Sequence, residues 1–555
     1  MKPELKNLYD LKMNLFQLRY EVSSNIKSEE WSMDELILVL KKLKRNKSAD
    51  SNGLIYELFR PEIIGKDLLS SLLMLCNQVK SQLAIPEFLT FTDITSIYKQ
   101  KGEKNDLEND RGIFGVSKIR SIIEKMILND NYDEVDDSMS DSNVGGRKCR
   151  NIRDNLFVIY ATINDAIKNK KDIDIEFYDL EKCFDAMWAE ETMNDFYDAG
   201  VKNDKFALTS IMNETCKVKV KTPVGDTDRF ELNKIEMQGT VPAPLKCAVQ
   251  IDTLGKYCYT YNTGLYTYKD ACAVPPLGMI DDIAGVARCG DDSIILNSIV
   301  NSKIESKKLK FNLKKCVVMH VGPNTADCPK LKVHETEMQL VETQKYLGDV
   351  ISNSGSNSDN IKDRCDKGYS AISQIKSFLK DVGFGRFDIQ TGLLMRDSIF
   401  GSKMMLNSEV WHAVTKAQIN ELEVIDKILL RQVLNSHSKT ALEWIYSDTG
   451  KLDLKSLVQI RRVMFLWHIL SREEDELIHR VYLTQKNSQN TGDWVKLVET
   501  DKNELQIDLT DKEIQGASKE MFRNYVKSKV KIKHLINLND LNKIHSKSEL
   551  LNSLN

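Results

Sequence analysis

An α+β fold is predicted by three stretches of this 555-residue sequence. Residues 175–180 (IEFYDL) are a short apolar run broken by a carboxylate, Asp179, and read as a buried strand leading into a polar turn. Residues 278–285 (GMIDDIAG) set two adjacent aspartates, Asp281 and Asp282, between short apolar runs, the pattern of a hairpin with carboxylates at its tip. From residue 351 the apolar residues fall into helical spacing, starting with IKDRCDKGYSAISQIKSFLKDV.

Taken in order, residues 1–45 read as a helical extension, with Met33, Leu36, Leu40 and Leu43 on one face and Trp31 just ahead of them. Residues 46–170 hold a buried-helix pattern (DLLSSLLMLCNQV, 67–79), then Pro86 and a strand (DITSIYK, 93–99). A charged loop follows with Lys99, Lys101, Lys104 and Arg111, and then the segment SDSNVGGRKCRNIRDNLF (140–157), which carries Arg147, Lys148, Arg150 and Arg153. Residues 171–350 contain both aspartate blocks, a helix (WAEETMNDFY, 188–197), a glycine- and proline-marked loop (MQGTVPAP, 237–244) and a strand (FNLKKC, 311–316). Residues 351–475 and 476–555 are helical, the latter polar with a lysine-rich stretch, FRNYVKSKVKIKHL.

Composition narrows the classes. With 41% hydrophobic and 29% charged residues the chain is ordinary globular protein, large enough for several cores. It has no secretory signal and no apolar run of about 18 residues, so no membrane partner is expected and an intracellular location, nucleus or cytoplasm, is. The 11 cysteines, all between Cys76 and Cys365, lack paired CxxC units and fit reduced thiols. The net charge of −3 gives no chain-wide positive field, but KKLKRNK (41–47), six lysines in 303–315 and four in 527–533 supply local ones.

Adjacent strand residues face opposite ways, so Asp281 and Asp282 need not share one role. If the two strands pair, Asp179 and Asp281 meet at one point, and carboxylates held that close repel unless a cation lies between them. Hard oxygen ligands suit Mg2+, with Mn2+ as a substitute. Two such ions, roughly 3.5–4 Å apart, can activate an attacking 3′-oxygen and stabilise a departing pyrophosphate. Cys316, His320, Cys328 and His334 are zinc-type ligands, but their spacing matches no standard finger, and structural zinc is not expected from that set.

The blocks at 175–188, 237–244 and 278–285 resemble motifs A, B and C of reverse transcriptases of the non-LTR retrotransposon (LINE-like) lineage. KSADSNG (47–53), KQKGEKNDLENDRGI (99–113), the lysines before FNLKKC and YLG (346–348) agree with that order, and the resemblance spans roughly residues 45–480. It implies a right-hand polymerase: fingers at 46–170, a palm of antiparallel sheet plus helices at 171–350, and a helical thumb at 351–475. Asp179, Asp281 and Asp282 would be the catalytic metal ligands. Arg111 and Lys99 would contact the incoming dNTP, Phe184 would stand beneath its sugar and exclude a 2′-hydroxyl, and Gln238 and Gly239 would lie against the nascent pair. Lys314 or Lys315 would be the general acid for pyrophosphate, and Arg147, Lys148 and Arg150 would hold the template. The implied partners are an RNA template, a DNA or RNA primer, the RNA–DNA duplex and dNTPs. No nuclease constellation and no cysteine after Cys365 for a CCHC knuckle are recognisable, so the resemblance also implies a pre-existing 3′ end or a separate nuclease.

Two departures keep a second class open. Met279 stands where most relatives have an aromatic, and Pro242-Ala243 replaces the residues that precede the trailing proline of QGDPLSP or QGCVLSP. Together with the net negative charge they point to the alternative, a catalytically silent polymerase-fold scaffold for RNA or a ribonucleoprotein.

Overall fold

The computed structural model describes residues 3–544 apart from 100–101, 104–105, 107–108, 215, 223–224, 233–236, 238, 262–263, 270–271, 325–327, 382–387 and 489–493. The chain is a mixed α/β protein whose sheets are largely antiparallel, which fits the α+β class.

The strand Ile173–Asp179 is the middle of a five-stranded sheet and is buried along six of its seven residues. Its run of isoleucine, phenylalanine and tyrosine suits a strand covered on both faces. Asp282–Arg288 pairs with it on one side and Val317–Val321 on the other, both antiparallel. Ile173, Ile175 and Phe177 face a core built with the helix Ile152–Lys168 and with helices between residues 454 and 530. Tyr178, Ile283 and Val318 face a second core under the helices Ala243–Tyr261 and Asp291–Ser306.

A second sheet carries the hairpin Phe91–Tyr98 and Asp110–Val116, in which Ile97 lies opposite Arg111. Cys216–Thr222 joins it parallel to Phe91–Tyr98. In the N-terminal segment, Trp31, Leu36, Leu40 and Leu43 share one core with Leu72, Cys76, Ile122 and Met126. Its helix, Met33–Lys41, starts on a capping box between Ser32 and Glu35. At the other end, Phe465 and Leu466 share the central sheet's core with Trp494, Phe522 and Val526, so residues on both sides of 475 belong to one packed interior. The helices Ser358–Asp381 and Lys416–Val433 close a separate core around the fully buried Trp411. All eleven cysteines are free, and no helix among the described residues is long and apolar enough to cross a membrane.

The YLG block joins the sheet region to the helical one. It leads into Asp349, which is wholly buried and accepts hydrogen bonds from Arg364 at 2.6 Å, Asn407 at 3.0 Å and Tyr160 at 3.0 Å. Arg364 also donates to the Gly348 carbonyl at 2.5 Å. One carboxylate thus ties together three segments, and removing its charge leaves a buried guanidinium uncompensated. Asp349→Asn is expected to lower unfolding stability by about 3–5 kcal/mol, measured by urea denaturation.

Candidate active site

Register decides where the carboxylates fall. Asp282 pairs with Asp179 across the central strands and with Met279 across the hairpin, leaving Ile280 and Asp281 as the turn. Ile280 takes a left-handed backbone, φ 59°, which a β-branched residue adopts only when its surroundings impose it. Those surroundings are visible. Val144 donates to the Gly278 carbonyl at 3.0 Å, Gly278 donates to the Ser142 carbonyl at 3.0 Å, and Asn155 also reaches the Gly278 carbonyl at 3.1 Å. The double glycine beside them is a close-approach device: a Cβ on Gly145 would lie 2.8 Å from the Ile280 nitrogen, and one on Gly146 2.8 Å from the Pro244 backbone. The 142–146 segment is therefore wedged between the aspartate hairpin and the start of the Ala243–Tyr261 helix.

Beside the hairpin lies a cleft of about 830 Å³. Asp179 and Asp281 line it, together with Lys99, Arg111, Phe184, Gly239 and Lys315. Asp110, Glu181, Lys182 and Asn312 are also on its wall; the sequence reading did not single these out, although Lys182 stands only three residues after Asp179. Asp282, part-buried like Asp281, opens the strand Asp282–Arg288 directly opposite Asp179, and burial, then the charge of Asp282, pushes the Tyr346 phenol upward. The two neighbouring aspartates thus occupy different positions, Asp281 in the turn and Asp282 at the start of the strand.

Burial and crowding are visible in the protonation of Asp281 and Asp282. Burial, then repulsion from Asp281 and Asp179, pushes Asp282 up to about 6. Asp281 is raised by burial and by Asp179, with Lys315 and Arg111 acting in the opposite direction. Lys315 donates to both oxygens of Asp179, at 2.8 and 2.9 Å. It is placed by a turn that hangs from the central strand: Asn312 donates to the Asp179 carbonyl at 2.8 Å and Lys315 donates to the Asn312 carbonyl at 2.9 Å. Lys314 is exposed and lies off the cleft wall.

The loop before the Ala243–Tyr261 helix is pressed against the neighbouring sheet. Gly239 has φ 119°, and a Cβ there would stand 2.6 Å from the Phe114 carbonyl oxygen. Val241 donates to Glu124 at 3.0 Å, and Glu124 is paired at 2.9 Å with Arg120, both side chains being 1% exposed. Gln238, Lys101 and Lys104 lie outside the described residues.

The arginines expected on the template are placed differently. Arg147 is buried: it donates to the Asp136 carboxylate at 2.6 Å, to the Asp136 carbonyl at 2.8 Å, and to the Ser140 and Asn143 carbonyls at 2.6 and 3.0 Å. Its guanidinium folds the loop that braces the aspartate hairpin and has no surface left for a template. Arg150 is turned toward Glu476, at 2.8 Å. Lys148 is exposed, its ammonium 3.5 Å from the centre of the Tyr132 ring. Cys316, His320, Cys328 and His334 do not converge as one set: the Cys316 thiol faces the Asp179 carbonyl at 3.8 Å and the His334 ring packs beside Phe311, while His320 and Cys328 both meet Asp174.

No protein-family model and no curated protein matches this chain.

Because Asp282 is raised in the folded state, its contribution to stability is complete below about pH 4 and is lost as pH rises through about 6. In the absence of divalent cations, Asp282→Asn is expected to gain roughly 1–3 kcal/mol at pH 8, about half as much at pH 5 and little at pH 4, measured by urea unfolding at the three pH values.

Proposed function

We propose that the chain is an RNA-directed DNA polymerase that extends a primer 3′ end with dNTPs by two-metal-ion catalysis, in a right-hand polymerase fold. The observation that carries this reading is the convergence on one cleft of Asp179, Asp281, Arg111, Lys99, Phe184 and Gly239. They come from four parts of the sequence, in the order and with the residue types of the reverse-transcriptase motifs.

The residues fit a pair of hard divalent cations: two carboxylates at the wall and a third opposite Asp179, all acceptors and mutually repelling without positive charge. Asp179 and Asp281 would hold the ions, with Asp282, opposite Asp179, completing the ligand set. When bound, Mg2+ or Mn2+ would lower the pKa of the primer 3′-hydroxyl and neutralise charge on the leaving pyrophosphate. This chain's own cations divide the remaining work. Arg111 and Lys99, at the paired end where Phe91–Tyr98 meets Asp110–Val116, line the cleft and would bind the triphosphate. Lys315, which donates to both oxygens of Asp179, would stand beside the reacting phosphates as a proton donor. Phe184 packs its ring against the core below the cleft, where a ribose 2′-hydroxyl would collide with it.

The scaffold reading keeps one structural point in its favour, the inward engagement of Arg147 and Arg150, which leaves Lys148 as the one exposed member of the expected template set.

Primer extension separates the two. With a labelled DNA primer on an RNA template and Mg2+, full-length product is expected from dNTPs and not from rNTPs. Asp281→Asn should lower the rate at least about a thousandfold while the duplex stays bound, and Phe184→Ala should admit rNTPs. No product from protein that binds the duplex would favour the scaffold.

A further inference from the structure

Away from the cleft, on the second face of the central sheet, Asp174, His320 and Cys328 bring one ligand atom each to within 4.8 Å of the others. His320 Nδ1 is 2.9 Å from Asp174 Oδ1, and the Cys328 sulfur is 3.5 Å from the same oxygen. Ligands around a tetrahedral zinc ion stand roughly 3.3–3.8 Å apart, given bonds of about 2.0–2.3 Å. The three donors are thus already near the edges of such a tetrahedron.

The surroundings are built for the same purpose. Ser293 donates to Asp174 Oδ2 at 2.8 Å, which fixes the carboxylate so that Oδ1 is the oxygen turned toward the histidine and the thiol. Asp174 is fully buried and His320 is 2% exposed, so neither charge nor lone pair is relieved by water. His320 Nε2 is buried without a hydrogen-bond partner, although Asp172 Oδ1 lies 3.4 Å away. A neutral ring whose Nδ1 hydrogen points at Asp174 directs the bare lone pair of Nε2 at the Asp172 carboxylate, which is unfavourable. A metal on Nδ1 reverses this: the ring hydrogen then sits on Nε2 and faces Asp172, the carboxylate–histidine–metal arrangement that orients ligating imidazoles. Asp172 is held for that role by Asn324, whose backbone and side-chain nitrogens both donate to it at 2.9 Å.

We propose that Asp174, His320 and Cys328 form a zinc site with Asp172 as the orienting carboxylate of His320. The donor set of one oxygen, one nitrogen and one sulfur selects a borderline cation over Mg2+. The site clamps the strand Ile173–Asp179 to Val317–Val321 and to the segment that follows, five residues before Asp179. Its role is to brace the strand that presents the carboxylate, and it stands whether or not the cleft is a polymerase site.

The test uses the full chain, loaded with zinc and dialysed against metal-free buffer. One zinc per chain is expected by elemental analysis, with a rise in Tm on adding stoichiometric zinc to the stripped protein. Cobalt in its place should give a sulfur-to-metal charge-transfer band. Cys328→Ser and His320→Gln should each lose the tight zinc, and Cys328→Ser the cobalt band, while Cys316→Ser, His334→Gln and Asp281→Asn retain them. Since Cys328 is only part-buried, its serine variant is expected to fold, which circular dichroism checks. Equal zinc content in wild type and Cys328→Ser, or zinc that disappears with Asp281→Asn instead, would overturn the assignment.

Discussion

The structure depends on holding Asp179, Asp281 and Asp282 together against their mutual repulsion. Nothing in the carboxylates themselves favours that arrangement, and Asp281 and Asp282 are shifted upward by burial first and by their acidic neighbours second. What enforces it is the antiparallel pairing of Ile173–Asp179 with Asp282–Arg288, whose register leaves no freedom over which residue lies opposite Asp179. The burial of that pair between two cores supplies the stabilisation that offsets the repulsion. Lys315 supplies part of the missing positive charge, though its half-exposed ammonium makes this a weak restraint that a divalent cation can displace.

The supports behind the hairpin matter as much as the strands. Ile280 is held in a left-handed conformation by neighbours on the 142–146 segment, and that segment keeps its shape because Arg147 gathers the carbonyls of Asp136, Ser140 and Asn143. An arginine that the sequence suggests for nucleic acid thus acts through the backbone, on the geometry of Asp281. The proposed zinc site is a similar support farther back along the strand Ile173–Asp179, which ends at the first carboxylate. A polymerase reading makes sense of this investment in rigidity, since in-line transfer requires the acids to be preorganised.

How much was legible in advance follows from how local each signal is. The IEFYDL run and the hairpin at 278–285 were readable because apolar strands and their tips are set by a few adjacent residues. The helical spacing of Leu36, Leu40 and Leu43 gave their burial, but not that they pack with Leu72 and Met126 far along the chain. Charge is the least legible property. Arg147, Arg150 and Lys148 look alike in sequence, and only the partners Asp136 and Glu476 turn two of them inward. The cysteine–histidine quartet is hard to read for a related reason: two of its members, His320 and Cys328, meet Asp174, more than a hundred residues earlier, brought in by pairing of Val317–Val321 with the central strand. The double glycine at 145–146 was present as a signal of close approach, but what approaches it is visible only in three dimensions.

The central claim is that Asp179 and Asp281 share divalent cations. Electron paramagnetic resonance of Mn2+ added to the protein with a template–primer and a non-hydrolysable dNTP tests it most directly. The account predicts two spin-coupled ions, as expected at a separation of roughly 3.5–4 Å, with the coupling lost in Asp179→Asn and in Asp281→Asn. Uncoupled Mn2+ bound equally by wild type and both variants would contradict it.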